Sequence, residues 1–200
     1  MRVRKMECGR AASLLSASIR IGLAVAMLMA TGCAGRTYHD PNMDFGIIKS
    51  VAVMPFANLS KDREAGERVR DVFSNMLLAT GAVYVLPPGE VARGASRAGI
   101  SNSAVPSSEE AVKLANVLKV EGVITGVVRE YGEVRSGSTA ANIVSFSVQM
   151  METQTGKVVW SASSSKGGIG ISDRLFGGGG DPMNDVTSEA VRDVINRLFK

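Results

Sequence analysis

Few side chains of this chain have the types and spacing that acid–base chemistry needs. His39 is the sole histidine, and it lies in a polar segment that we expect to be a solvated tether. A general base needs fixed geometry, so this position argues against Ser-His-Asp triads and histidine metal sites. Glu130 and Glu133 flank Tyr131 at a predicted strand end, which favours a charged rim; a carboxylate-dependent hydrolase is the remote alternative. We therefore predict a protein without catalytic residues, metal ligands or a cofactor.

The glycine-rich segment near the C-terminus also lacks the residues that bind phosphate. Gly177–Gly180 is not followed by the lysine and hydroxyl residue of a phosphate-binding loop. We interpret Ser164–Gly180 as irregular, either as a plain flexible loop or as a hinge that presents Leu175 and Phe176 to a partner. An exposed Leu-Phe pair is stable only when something covers it, which makes these two residues candidate partner contacts.

The net charge of +4 comes entirely from the N-terminus. Residues 1–32 hold five basic side chains and one acidic side chain, whereas the remaining 168 residues hold 18 of each. A body without net charge gives no electrostatic reason to expect nucleic acid as a partner. The composition, 45% hydrophobic and 21% charged, is typical of a globular domain.

The N-terminal segment has the pattern of a secretory signal. Basic residues precede the apolar run Ile21–Ala30, which as a helix would cover about 15 Å, half of a bilayer core. A spanning helix would have to bury Arg20, which is costly, so an uncleaved anchor is the weaker alternative.

The residues after the apolar run, Ala30-Thr31-Gly32-Cys33, resemble the lipobox of bacterial lipoproteins. The resemblance implies cleavage between Gly32 and Cys33, with diacylglycerol on the Cys33 thiol as the membrane anchor. Two or more acyl chains suffice for stable attachment. Ala34, rather than Asp, follows the cysteine, which in enteric-type sorting implies the outer membrane. Cys8 would leave with the signal, so the mature body would contain no thiol.

Downstream of a polar tether over residues 33–47, hydrophobic periodicity predicts one α/β domain over residues 48–200. We expect a small-residue loop over 132–142; in the alternative, the strand at 120–128 extends as far as Val134 and counts as two short strands. Strands that alternate with helices and end in a hairpin and a helix favour a mixed sheet covered by helices. The predicted strands cover 50–56, 83–86, 120–128, 143–151 and 157–163, and the predicted helices cover about 64–80, 90–98, 108–118 and 182–199.

Several residues predict how helices end and how strands pack. Ser107 and Glu110 have capping-box spacing, Gly81 suits a helix C-terminus, and Asp181 with Pro182 suits the start of the last helix. Gly122 and Gly126 are expected to let a neighbour approach closely, and the charged residues Arg63, Glu64, Glu67, Arg68 and Arg70 are interpreted as an exposed helix face.

Three segments together resemble the CsgG-like group of bacterial lipoproteins, which includes PelC-like proteins and is related to TolB N-terminal domains and LpoB-type synthase activators. They are Val51–Ser60, Gly122–Gly126 and Glu152–Ala162, the last similar to the group's D-x-x-T-G-x-x-x-W-S-A hairpin. The resemblance implies a three-layer α/β/α sandwich with a mixed sheet, on the periplasmic face of the outer membrane. It also implies that the chain assembles into a homo-oligomer.

The resemblance further implies a role in export of protein or polysaccharide. Curli pore proteins insert long hairpins into the membrane, whereas Arg135–Asn142 is predicted to be only a short loop, so we do not expect a pore. The expected function is that of a non-enzymatic, lipid-anchored accessory or assembly factor with an envelope protein as partner. The alternative is an LpoB-like regulator that docks onto a peptidoglycan synthase.

Overall fold

The computed structural model describes residues 37–169 and 180–199. Gly32, Cys33, Leu175 and Phe176 lie outside these ranges. The described elements, in chain order, are β1 (Thr37–His39), a 3-10 turn (Phe45–Ile47), β2 (Ser50–Val53), β3 (Ala57–Asn58), α1 (Ala65–Ala79), β4 (Tyr84–Val85), α2 (Pro88–Arg97), α3 (Ser108–Leu118), β5 (Gly122–Ser136), β6 (Thr139–Glu152), β7 (Val158–Gly167) and α4 (Met183–Leu198).

The strands of the described ranges form one mixed sheet in the order β1-β7-β6-β5-β2-β4, with β3 beside β5. β2 is parallel to both β4 and β5, because helices connect these three strands. β5, β6 and β7 form an antiparallel meander, and β1 is antiparallel to β7. The mixed sheet and the C-terminal hairpin predicted from the sequence are confirmed.

Helices cover both faces of the sheet. α1 and α4 pack on one face with Phe73 and Val191, and α2 and α3 pack on the other with Val91 and Leu114. β2 lies between them, so its successive side chains are buried on alternate faces. This arrangement confirms the three-layer α/β/α sandwich.

Local signals in the sequence account for several of these boundaries. Ser107 and Glu110 form the predicted capping box, and Gly81 follows α1 with a φ of 67°, which favours glycine. The last helix begins at Met183 with Pro182 at the N-cap, one residue later than predicted. Gly126 faces Phe56 so closely that a Cβ would lie 2.8 Å from the ring, which confirms the predicted close approach.

The predicted loop over 132–142 is wrong. β5 and β6 continue through it as a two-stranded ribbon, in which Val134 pairs with Ala141 and Ser136 with Thr139. A two-residue turn closes the ribbon, with Gly137 at a φ of 62°. Arg135–Asn142 is therefore the end of a long hairpin, and its small polar residues had concealed the strand period.

The predicted tether over 33–47 is wrong for the part that the structure describes. Residues 37–39 form the edge strand β1, where Tyr38 pairs with Ser161. A strand forms there because the edge of β7 offers unpaired backbone groups. The irregular segment predicted over 164–180 is wrong at its start, because Ser164–Gly167 still belong to β7.

Candidate functional site

The carboxylates considered from the sequence, Glu130 and Glu133, both lie in the lining of one open cavity. Glu130 and Glu133 are both exposed on β5, and the Glu133 carboxylate forms an ion pair with Arg135. These contacts support the charged-rim interpretation. Within residues 37–169 and 180–199, no group of three His, Cys, Asp or Glu side chains could hold a metal ion.

His39 is fixed in the structure, contrary to the expectation of a solvated tether residue. Its Nε2 atom donates a hydrogen bond to the carbonyl oxygen of Arg197, 2.8 Å away, near the end of α4. Its ring also meets Phe45 edge-on, with the ring centres 5.5 Å apart. These contacts hold the segment after β1 against the end of α4.

A polar network fixes the same end of α4 to β7. Asp193 accepts hydrogen bonds from Ser164 Oγ at 2.8 Å and from Arg197 Nη2 at 2.6 Å, and Arg197 Nη1 donates to the carbonyl oxygen of Ser163. Partial burial acts to raise the pKa of Asp193, but the hydrogen bonds from Ser164 and Arg197 outweigh it, and the pKa lies below its ordinary value. The ionised carboxylate therefore stabilises the fold.

Asp193→Asn is expected to destabilise the protein at neutral pH by about 1–2 kcal/mol, because the variant loses charge-assisted hydrogen bonds. A carboxyl with a lowered pKa stabilises the fold above its unfolded pKa, and this contribution disappears as the pH falls through the folded pKa. The difference between Asp193→Asn and wild type should therefore shrink in acid. Urea unfolding across acidic and neutral pH measures it, with the exposed Asp71→Asn on α1 as control. A difference that does not change with pH would contradict this assignment.

An apolar groove of about 450 Å³, here called the edge groove, lies where these contacts meet. The segment between β1 and β2, the residues just before β4, and the end of α4 form its walls. The lining includes His39, Phe45, Ile48, Val83, Met150 and Leu198.

Local hydrogen bonds give the edge groove a defined shape. Asp44 caps the 3-10 turn by accepting a hydrogen bond from the Gly46 backbone N–H at 2.9 Å. On the opposite wall, the Tyr84 N–H donates to the Lys49 carbonyl at 2.8 Å, which fixes the start of β4. The groove is therefore built from ordered backbone on both sides.

A large apolar side chain of the groove lining remains exposed. Phe199 lines the groove with a relative exposure of 49%, and Ile47 and Tyr84, each next in sequence to a lining residue, are exposed at 53% and 56%. β4 also has a free edge in the described part of the chain, since it pairs only with β2. Apolar side chains beside an open strand are typical of an interaction surface rather than a reaction site.

Sequence reasoning missed the edge groove and misplaced one arginine. The groove joins residues from opposite ends of the chain, so no local sequence pattern predicts it. Arg70, assigned to an exposed helix face, has a side chain only 14% exposed, whereas its neighbour Arg68 is exposed as expected.

No described helix is both long enough and apolar enough to cross a membrane.

Two solved structures are similar to this one in fold. A PelC dodecamer from Paraburkholderia phytofirmans has a TM-score of 0.55 at 18% identity, over 82% of this chain and 96% of that chain. Lipoprotein GNA1162 from Neisseria meningitidis has a TM-score of 0.54 at 21% identity, over 76% of this chain and 98% of that chain. No protein-family model and no curated protein matches this sequence. The structural comparisons show that this chain has the α/β fold of PelC and lipoprotein GNA1162.

Proposed function

We propose that this chain is a non-enzymatic lipoprotein of the outer membrane that faces the periplasm and serves as an assembly factor in envelope export. In this proposal its domain acts through contact between copies of the chain. The edge groove carries the proposal, because its apolar lining leaves Phe199 exposed and it lies beside β4, an edge strand of the sheet. The fold supports the choice of occupant, since PelC, which shares it, was solved as a dodecamer.

The lipid anchor has a geometric consequence in this proposal. In the mature chain only Ala34, Gly35 and Arg36 would separate the acylated Cys33 from β1. Four peptide units span at most about 14 Å. The domain would therefore work close to the membrane surface, where anchoring also raises the local concentration of copies.

Contact between different surfaces of two copies leads to a ring when the rotation closes. We expect the edge groove of one copy to bind a different surface of the next copy. Contacts of this kind continue from copy to copy, so we expect an assembly of more than two copies. In the alternative function, the edge groove would bind a cell-wall synthase, whose mass differs from that of a second copy of this chain. The mass of a crosslinked product therefore separates the two functions.

The test is the mass of the purified full-length chain in detergent, measured by native mass spectrometry. Wild type should assemble, and Phe199→Lys should weaken the assembly at least about tenfold, because a charge would have to be buried in the contact. Phe199 lines the edge groove and is exposed, so this change should not impair folding. Val105→Lys is the matched control, since Val105 is also exposed but does not line the edge groove.

A monomeric wild type over the whole concentration range would contradict the proposal. So would a Val105→Lys variant that dissociates as readily as Phe199→Lys.

A further inference from the structure

A second cavity, separate from the edge groove, lies at the carboxyl ends of β2 and β4. These strands are parallel neighbours, yet the chain leaves β2 for α1 on one face and leaves β4 for α2 on the other. In open α/β sheets, such a reversal creates a crevice outside the strand ends, where ligands bind. Here the crevice holds a cavity of about 270 Å³, with Pro55 after β2 and Pro88 after β4 in its wall.

Arg70 gives this cavity its charge. Among the described residues that line it, Arg70 alone is charged, and no acidic side chain is among them. The Arg70 Nη2 atom lies 2.7 Å from the carboxylate of Glu67, an exposed residue one turn away. Such a pair contributes little, because water screens it.

The Nε atom of Arg70 is the observation that points to a ligand. It is buried and has no hydrogen-bond acceptor among the described residues. A buried N–H without an acceptor is unfavourable, and a small rotation of the Arg70 side chain toward an acceptor bound in the cavity would remove that cost. A carboxylate and a phosphate can each form two parallel N–H···O bonds with a guanidinium, and the carboxylate, which is the smaller of the two, suits a cavity of about 270 Å³ better.

The remaining lining defines the body of the ligand. Val91, Ala95 and Ile100 form an apolar wall, and Ser96 and Ser103 add hydroxyl groups. The cavity volume of about 270 Å³ is just below the range of about 300–1,000 Å³ that is typical of small-molecule pockets, so the ligand must be small. We propose that this crevice binds a carboxylate on a small aliphatic body, with the carboxylate on Arg70. The source is either a free acyl amino acid or the C-terminal residue of a peptide.

The Nε–H resonance of Arg70 in the full-length, nitrogen-15-labelled chain tests this proposal directly. Titration with N-acetyl-alanine should shift that resonance in a saturable way, and its neutral amide should bind at least about tenfold more weakly. A Gly-Gly-Ala peptide with a free C-terminus forms the second arm. Tighter binding of the peptide identifies a chain end as the source, and tighter binding of N-acetyl-alanine identifies a free acid.

Arg70→Lys should weaken binding at least about tenfold, as followed at the Ser96 amide, because a lysine cannot donate a fork of two bonds. Arg68→Lys, on the same helix but outside the cavity, should leave binding within about twofold of wild type. Should Arg70→Lys fail to fold, Ala92→Leu blocks the cavity at an exposed position while retaining Arg70.

Three results would overturn the proposal. One is the absence of a saturable shift of the Arg70 Nε–H resonance at concentrations up to about 50 mM of N-acetyl-alanine or the Gly-Gly-Ala peptide. A dissociation constant above about 50 mM would be too weak for a functional site. Another is equal binding of acid and amide. The third is equal loss of binding in Arg68→Lys and Arg70→Lys.

Discussion

Cys33→Ser is expected to abolish incorporation of labelled palmitate into this chain and the form that begins at residue 33. The thioether to diacylglycerol needs a thiol, and a hydroxyl does not replace it. Acyl chains contribute about 0.8 kcal/mol for each buried CH₂, so their loss removes the proposed membrane anchor. Metabolic labelling and the intact mass of the chain measure the effect. An uncleaved signal could still hold the variant in a membrane, but the palmitate label and the intact mass do not depend on where the chain is located.

Cys8→Ser is the matched control for this experiment. Cys8 is the other cysteine of the chain and lies within the predicted signal, so its replacement should leave both label and mature mass unchanged. Labelled Cys33→Ser protein would contradict the lipid anchor. A mature wild-type chain that begins elsewhere than at residue 33 would contradict the predicted cleavage.

Trp160→Ala is expected to lower the free energy of unfolding by about 3–5 kcal/mol. Trp160 is fully buried on β7, where it pairs with His39 of β1 and Met150 of β6 and belongs to the core between the sheet and the helices α1 and α4. Its removal would leave a cavity that the strands on both sides cannot fill. Urea unfolding followed by far-ultraviolet circular dichroism measures the loss.

Trp160→Phe separates packing from hydrogen bonding at this position. The indole Nε1 is buried and has no acceptor among the described residues, so phenylalanine removes an unsatisfied polar group together with some volume. We expect the loss to be less than about half of that in Trp160→Ala. The neighbouring Ser161→Ala should change stability by less than about 0.5 kcal/mol. Equal losses in the two tryptophan variants would contradict this expectation.

The sequence predicts this fold best where burial alternates along a strand. Val144, Phe146, Val148 and Met150 were expected on one face of a strand, and all four are buried. The hairpin partner was predicted for the same reason, since its apolar residues face the same core. The alternation of apolar residues along a strand and the residue types in a turn are local properties, so they can be recognised without knowledge of the tertiary structure.

The missed elements depend on pairing between distant residues. β1 forms by pairing with β7, which lies more than a hundred residues away in sequence. No local sequence pattern near Tyr38 predicts a strand. The ribbon over 132–142 lacks apolar alternation and is held by the continued pairing of β5 with β6. Arg70 belongs to the same class: its helix was predicted, but the cavity that it lines also needs residues of α2 and of the loop that follows. The edge groove could not be predicted for the same reason.

A photo-crosslinking amino acid at Phe199, which lines the edge groove, tests the central claim most directly when it is activated in intact membranes. If the chain acts through contact between its own copies at the edge groove, the products should have masses that are whole multiples of the mass of the chain. The same amino acid at Val105 should give little of these products. No product at Phe199, a product that contains a different protein, or equal yields at both positions would contradict the account.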